Sequence, residues 1–316
     1  MKTDNDQKTG NTDKTDYNET VDVTLGNRTV QVPKGGIYDT YHMKTDLDAM
    51  LKDERVTSVD FFKALEKREV MSPIGPTMTP NYYYRTWTAR LVMTAPVSAI
   101  KTRLPEGLDP LEMLPGIGLV SLMFFRYDVC DIDKYSEAAV AILVRPPRHG
   151  GLNGVDLIAG LKNEDMYVHV LSLPVTTEIA QVRGHDRYGF PKWVTEINFN
   201  VDKDKTTAVI MNDSGGIDIK LTAGTPTQKH FKSGENVSTL HSITKLDEVW
   251  NETLSQTNVM SLGKKVMPSD VRLRLGKGRV SSDLRSLKVG KILQFEVSEN
   301  SQVALHMPQP ISVRKV

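Results

Sequence analysis

From residue 82 onward the chain is written in short apolar runs, mostly β-branched or aromatic, each closed by Gly, Pro, Asn or Asp. Such runs form strands, and they fall at 82–93, 117–129, 138–145, 166–173, 194–201, 206–211, 217–222, 270–275, 291–297 and 302–307. In one of them Ile197, Phe199 and Val201 alternate with Glu196, Asn198 and Asn200, the pattern of a strand with one buried face. Helical spacing is rare by comparison and appears only at 97–103, 238–245 and 281–287. A doubly wound parallel sheet needs a crossover, usually a helix, between successive strands, and there are too few. The expected fold is mainly β (α+β), built from antiparallel curved sheets or a barrel. No internal repeat is evident.

The first eighty residues read differently. Residues 1–20 hold almost nothing apolar beyond Met1 and Tyr17, too little to offset the entropy of ordering, and are expected to be a disordered polar tail. Residues 21–80 form an N-terminal extension. In it Val21–Leu25 and Thr29–Val32 flank Gly26-Asn27 as a hairpin, and Leu47, Met50 and Leu51, then Phe61, Phe62 and Leu65, take helical spacing. Thr57 and Asp60 resemble a capping box before the second helix. The prolines at 73, 76 and 80 punctuate the chain, so the main domain is placed at 81–316.

Several function classes are excluded at once. Forty Lys and Arg against 39 Asp and Glu leave a net charge of +1, without the basic excess that nucleic acid or an acidic membrane surface selects. The single cysteine, Cys130, rules out an internal disulfide or multi-cysteine zinc site. The polar start has no apolar signal segment, and the longest apolar run, 116–125, is too short to span a bilayer. A cytoplasmic location is therefore expected, and Asn-x-Thr matches at Asn18 and Asn251 are read as chance. His149-Gly150-Gly151 lacks the Gly-x-Ser-x-Gly elbow of a hydrolase, and Gly276-Lys277-Gly278 lacks the third glycine of a dinucleotide loop. Asp128, Asp131 and Asp133 lack the glycine of an EF-hand turn and read as a solvated acidic loop. The sequence calls for no metal and no cofactor.

One segment departs from ordinary β-protein text, Glu178 to Trp193, in which Lys192 stands between Pro191 and Trp193 after Tyr188-Gly189-Phe190. A lysine wedged among apolar and aromatic groups loses solvation of its charged form, which favours a free amine able to attack a carbonyl. Read alone, the segment also fits a surface lysine snorkelling from a strand edge.

Tyr188-Gly189-Phe190-Pro191-Lys192, with Gly184 eight residues before the lysine, resembles the Schiff-base lysine segment of the acetoacetate decarboxylase-like superfamily. Tyr135-Ser136-Glu137 and the strand after it resemble the family's Tyr-x-Glu segment. Leu104-Pro105-Glu106-Gly107-Leu108 is similar to its Leu-Pro-x-x-Leu turn, and 284–287, 291–297 and 303–308 to its closing elements. The resemblance, in order over about 82–312, implies a cone-like, partly open β-barrel around a closed pocket, often in a homo-oligomer, acting on a small-molecule keto acid. It also implies that Lys192 forms the imine, that Glu137 positions substrate or moves a proton, and that an arginine of the first strand, Arg85 or Arg90, binds the substrate carboxylate.

The departures bear on substrate. Trp193 stands where the decarboxylase has a second lysine, Leu122 where it has a second glutamate, and His185-Asp186 where it has an Arg-Glu pair. Arg126, His185 and Asp186 are therefore candidates for a larger or more polar acid. Tyr135 and Tyr188 are further proton handlers or, equally, core rings with satisfied hydroxyls. The implied reaction is that of a carbon–carbon lyase, decarboxylation of a β-keto acid in the first place. Aldol or dehydratase chemistry, cyclisation, and a non-catalytic barrel that uses Lys192 as a counter-charge are the alternatives.

Overall fold

The computed structural model describes residues 19–147 and 153–313 of the chain. The proposed disordered tail, and His149-Gly150-Gly151, lie outside them except for the last residues of the tail. The N-terminal part contains strands β1 (Thr20–Leu25) and β2 (Arg28–Pro33), helices α1 (Ile37–Tyr41), α2 (Leu47–Met50) and α3 (Asp60–Lys63), and strands β3 (Arg68–Ser72) and β4 (Gly75–Thr79). There follow β5 (Asn81–Pro96), α4 (Val97–Lys101), β6 (Glu112–Leu114), β7 (Ile117–Cys130), β8 (Tyr135–Val144), α5 (Asn153–Asn163), β9 (Asp165–Ser172) and α6 (Glu178–Val182). A π-turn at Arg183–Arg187 continues α6. The rest is β10 (Ile197–Val201), β11 (Lys205–Met211), β12 (Ile217–Gly224), β13 (Lys229–His230), β14 (Val237–Leu246), β15 (Val249–Val259), β16 (Ser261–Val266), β17 (Arg272–Leu275), α7 (Arg279–Ser286), β18 (Ile292–Leu305) and β19 (Gln309–Pro310).

Seven strands, β5, β7, β8, β9, β14, β15 and β18, close into a ring through the pairing of β18 with both β5 and β15. All neighbours are antiparallel except β9 and β14. The edge of β18 is shared: residues 301–305 pair with β15, whereas 294–297 pair with β16. The register of β18 shifts between Ser298 and Ser301, and a bulge of that kind bends a strand. The barrel thus closes at one end and splays at the other, which makes the cone. The sequence pattern predicts two strands, 291–297 and 302–307; one bent strand runs through instead.

The sheet β10-β11-β12-β17 covers the outer face. Ala89, Leu91, Leu122, Phe124, Val140 and Ile142 pack there against Ile197, Phe199, Ile219 and Leu221. Side chains of a strand alternate between faces, so the intervening residues line the barrel. Met123 and Phe125 of β7, Ala139 and Ala141 of β8 and Val168 and Val170 of β9 form that inner cluster. Glu137 shares the inward parity of Ala139 and Ala141.

Three expectations are corrected. Residues 238–245, read as a helix, are β14, because Thr239, His241 and Ile243 alternate and pair in register with β15. The N-terminal extension is not substantially helical: its three helices are single turns of four or five residues beside two hairpins. The hydroxyl that reaches the start of α3 is that of Ser58, which accepts from the Asp60 N–H at 3.1 Å, not that of Thr57. The β1–β2 hairpin does turn at Gly26-Asn27, where Gly26 has φ +61°, the left-handed conformation such turns require.

The extension shares its cores with the barrel. Leu25, Val30, Val32, Tyr38 and Met43 pack with Tyr83, Tyr127, Tyr135 and Ile179, while Met50, Val59 and Phe62 pack on Tyr82 and Tyr84. Asp131 ties the two together. Fully buried, it accepts from the Tyr82 N–H (2.6 Å), the Tyr84 hydroxyl (3.0 Å), Thr45 Oγ1 (2.7 Å) and Lys67 Nζ (2.6 Å). Asp133 is buried as well and accepts the backbone N–H groups of Ile37 and Tyr38. The acidic loop is therefore not solvated; its carboxylates are acceptors for backbone and side-chain donors that folding removes from water.

Candidate active site

Lys192 follows α6 and its π-turn in an extended stretch whose backbone clips onto neighbouring chain: Leu173 N–H donates to Pro191 C=O and Val175 N–H to Trp193 C=O. Its side chain runs into the protein. Nζ lies 2.5 Å from Oε2 of Glu137, and the two side chains are 7% and 9% exposed. That burial excludes the snorkelling alternative. The other Glu137 oxygen accepts from the Tyr127 hydroxyl at 3.0 Å, so the carboxylate is fixed from both sides.

The close approach depends on Gly184. A Cβ on that residue would stand 2.3 Å from both Cδ and Cε of Lys192 and 3.0 Å from Nζ. The π-turn holds Gly184 in place, with Phe190 N–H donating to Gly184 C=O and Gly189 N–H to His185 C=O.

A phenolic wall surrounds the pair. The Tyr83 and Tyr135 hydroxyls are 3.1 Å apart, the Tyr83 and Tyr127 rings 4.4 Å between centroids, and Nζ of Lys192 lies 5.9 Å from the Tyr135 ring centre. Burial pushes the hydroxyls of Tyr83, Tyr127 and Tyr135 well up from the ordinary tyrosine range, with the Glu137 charge adding to it. All three remain protonated donors. Tyr127 is a site residue that sequence reasoning missed. Its signal was register: Tyr127 pairs with Tyr135 and Phe125 with Glu137, which makes Tyr127 and Glu137 diagonal neighbours on one face.

The other candidates are dispersed. Arg85 and Arg126 take outward parity, with their guanidinium carbons 5.2 and 4.6 Å from the Trp87 ring centre. Arg126 is also ion-paired with Asp128 at 2.9 Å. His185 is half-exposed and bonded to Asp186, whose other oxygen meets Arg28 at 3.1 Å. Tyr188 is buried and stacks on Phe190 at 5.9 Å. Of the three candidate arginines, Arg90 is the one with inward parity. Its row, Arg90–Met123–Ala139, adjoins the row Thr88–Phe125–Glu137. Its guanidinium is held by Glu296, with Nε at 2.8 Å from Oε2 and Nη2 on the same oxygen. Among the described contacts none joins Arg85, Arg90, Arg126 or His185 to Lys192. A cavity of about 360 Å³ between Trp193, Asn212, Lys277 and Arg279 lies outside the barrel, at the covering sheet. It does not include the lysine–glutamate pair, and the buried pair is the better guide to chemistry.

A buried amine against a doubly held carboxylate, inside a cone-shaped barrel, is an arrangement for carbonyl chemistry. The family model of acetoacetate decarboxylase matches residues 71–305, and the chain belongs to that family. No curated protein matches it in sequence. Among solved structures it is similar to an acetoacetate decarboxylase from Legionella pneumophila (14% identity, TM-score 0.51, covering 75% of this chain and 89% of the other). A further acetoacetate decarboxylase (16%, 0.52, 74% and 90%) shares the fold. So does the enduracididine biosynthesis enzyme MppR in complex with the condensation product of pyruvate and imidazole 4-carboxaldehyde (12%, 0.52, 78% and 98%). The chain is thus an acetoacetate decarboxylase-like enzyme. No described helix is long and apolar enough to cross a membrane.

Proposed function

We propose that the protein is a Schiff-base carbon–carbon lyase acting on a small keto acid, with decarboxylation of a β-keto acid as its reaction. The observation that carries this reading is the 2.5 Å contact between Lys192 Nζ and Glu137 Oε2, with both groups withdrawn from water. Glu137 is placed to take the ammonium proton, which leaves an amine lone pair to attack the keto carbon. Loss of water gives a protonated imine. The C–C bond to the carboxylate then breaks, its electron pair moves into the imine as an enamine, and CO₂ departs. A proton returned to the enamine carbon, followed by hydrolysis, releases the ketone and restores the amine. Tyr127 keeps Glu137 in position, and Arg90, inward and one row away, receives the substrate carboxylate.

A second reading shares the imine and breaks or makes a bond to a carbinol carbon instead. The condensation product held by MppR, on the same fold, favours keeping it. Release of CO₂ from a panel of β-keto acids, compared between the wild type and Lys192→Ala, tests the choice. CO₂ release lost in the variant supports decarboxylation. Imine formation with no CO₂ from any β-keto acid, but exchange of pyruvate with aldehydes, moves the assignment to aldol chemistry. Unchanged CO₂ release in Lys192→Ala contradicts both.

A further inference from the structure

The π-turn that carries Gly184 also carries two arginines that are almost completely buried. Arg183 is 3% exposed and Arg187 1%. Among the described residues neither has a carboxylate oxygen within salt-bridge distance, and their polar partners are all neutral. Arg183 Nη2 donates to Asn81 Oδ1 at 3.2 Å. Arg187 donates through Nε to Ser72 Oγ at 3.1 Å and through Nη1 to Thr77 Oγ1 at 2.8 Å. The nearby buried carboxylate, Asp131, is already neutralised by Lys67. Buried charges are ordinarily paired, because two uncompensated cations close together in a low-dielectric interior oppose each other and forgo solvation. Desolvation first, and Arg183 second, bring the Arg187 guanidinium down to about 9.

Asn81 is 2% exposed, and among the described residues its Nδ2 has no hydrogen-bond partner. Its amide orientation is fixed, since Oδ1 accepts from Arg183 and a flipped amide would set NH₂ against a guanidinium. An unfilled donor therefore stands on the same amide that touches one of two unpaired cations.

We infer that Arg183, Arg187 and Asn81 form a buried site for one small oxyanion, of the carboxylate or phosphate class. The bound anion supplies the missing negative charge and an acceptor for Asn81 Nδ2. It also joins three pieces of chain: the start of β5 through Asn81, the β3–β4 hairpin through the partners of Arg187, and the turn that presents Gly184 to Lys192. The site shares no hydrogen bond with the Lys192–Glu137 pair; its occupant is a free anion or a distal acid group of the substrate, and only the second case rests on the function proposed above.

The test is thermal unfolding of the full chain while sodium formate, or in a second series inorganic phosphate, is raised at constant ionic strength. A ligand at 100 times its Kd multiplies the folding equilibrium constant about 100-fold, so a rise of about 5 °C in Tm at that concentration, growing with the logarithm of anion concentration above Kd, is expected for a chain of this size. The rise is expected to be lost in Arg187→Met, and in Asn81→Ala should the arginine variant not fold. No rise in the wild type with formate or phosphate together with none for pyruvate in the series below, or the same rise in the variants, overturns the site. A third series with pyruvate in Lys192→Ala separates the sources. A pyruvate shift equal to that of formate indicates a free-anion site that any small carboxylate fills, whereas a shift seen with pyruvate alone indicates capture of the substrate's acid. Borohydride trapping of pyruvate on the wild type reads the imine independently, so failure of one proposal leaves the other standing.

Discussion

Replacing Gly184 by alanine isolates the contact on which the placement of Lys192 depends. The added methyl would lie 2.3 Å from Cδ and Cε of the lysine, where carbon atoms rest at about 3.5 Å or more. The backbone of the turn is held by the Phe190 and Gly189 hydrogen bonds, so the side chain must yield by about 1 Å, and Nζ moves with it. A displacement of about 1 Å from a reactive geometry costs on the order of 100-fold in rate. Stability should change less: overpacking costs about 1–3 kcal/mol, offset in part by the better helical propensity of alanine, about 1 kcal/mol. The assay is the rate at which borohydride traps a keto acid on Lys192, measured beside the urea midpoint. Expected is a folded variant with trapping slowed about 100-fold. A wild-type trapping rate in a folded Gly184→Ala protein would refute the proposition that the glycine exists to admit the lysine.

Other outcomes follow from the same geometry. Glu137→Gln leaves the Lys192 ammonium buried without its carboxylate, so urea unfolding should show a loss of about 3 kcal/mol together with slowed imine formation. Arg85→Gln and Arg126→Gln, altered on the outer face at Trp87, should trap keto acids at the wild-type rate, whereas Arg90→Gln should raise KM for a carboxylate substrate. The Asp133 carboxyl is pushed up to about 6, chiefly by burial, so the folded protein holds a proton between about pH 4 and 6 that the unfolded chain has released. Its contribution of about 3 kcal/mol is full below pH 4 and is lost as pH rises through 6. Urea titrations of the wild type and Asp133→Asn should differ in slope over that interval.

Much of the strand order was legible because residues of β7, β8 and β10–β12 are β-branched or aromatic and bounded by turn formers. What escaped was text in which polar residues carry strands. Ser238, His241, Thr244 and Lys245 obscured β14, and β15 and β16 were not read at all, although they shape the closed and splayed ends of the cone. The Tyr188–Lys192 segment was legible because its glycine and proline have no role in a plain strand; that Gly184 meets the lysine was not, since the contact arises from the fold of the turn. Tyr127 was not legible, since its role arises from cross-strand register. Arg183 and Arg187 read as ordinary polar text; only tertiary packing under the N-terminal hairpins shows that they are buried with no counter-charge among the described residues.

The central claim is that Lys192 is the nucleophile, and peptide mass mapping after treatment with a keto acid and borohydride tests it most directly. With acetoacetate and pyruvate as probes, the account predicts a reduced adduct confined to the peptide containing Lys192 and absent from the Lys192→Ala protein. An adduct on another lysine, or no adduct with any keto acid while turnover proceeds, would contradict it.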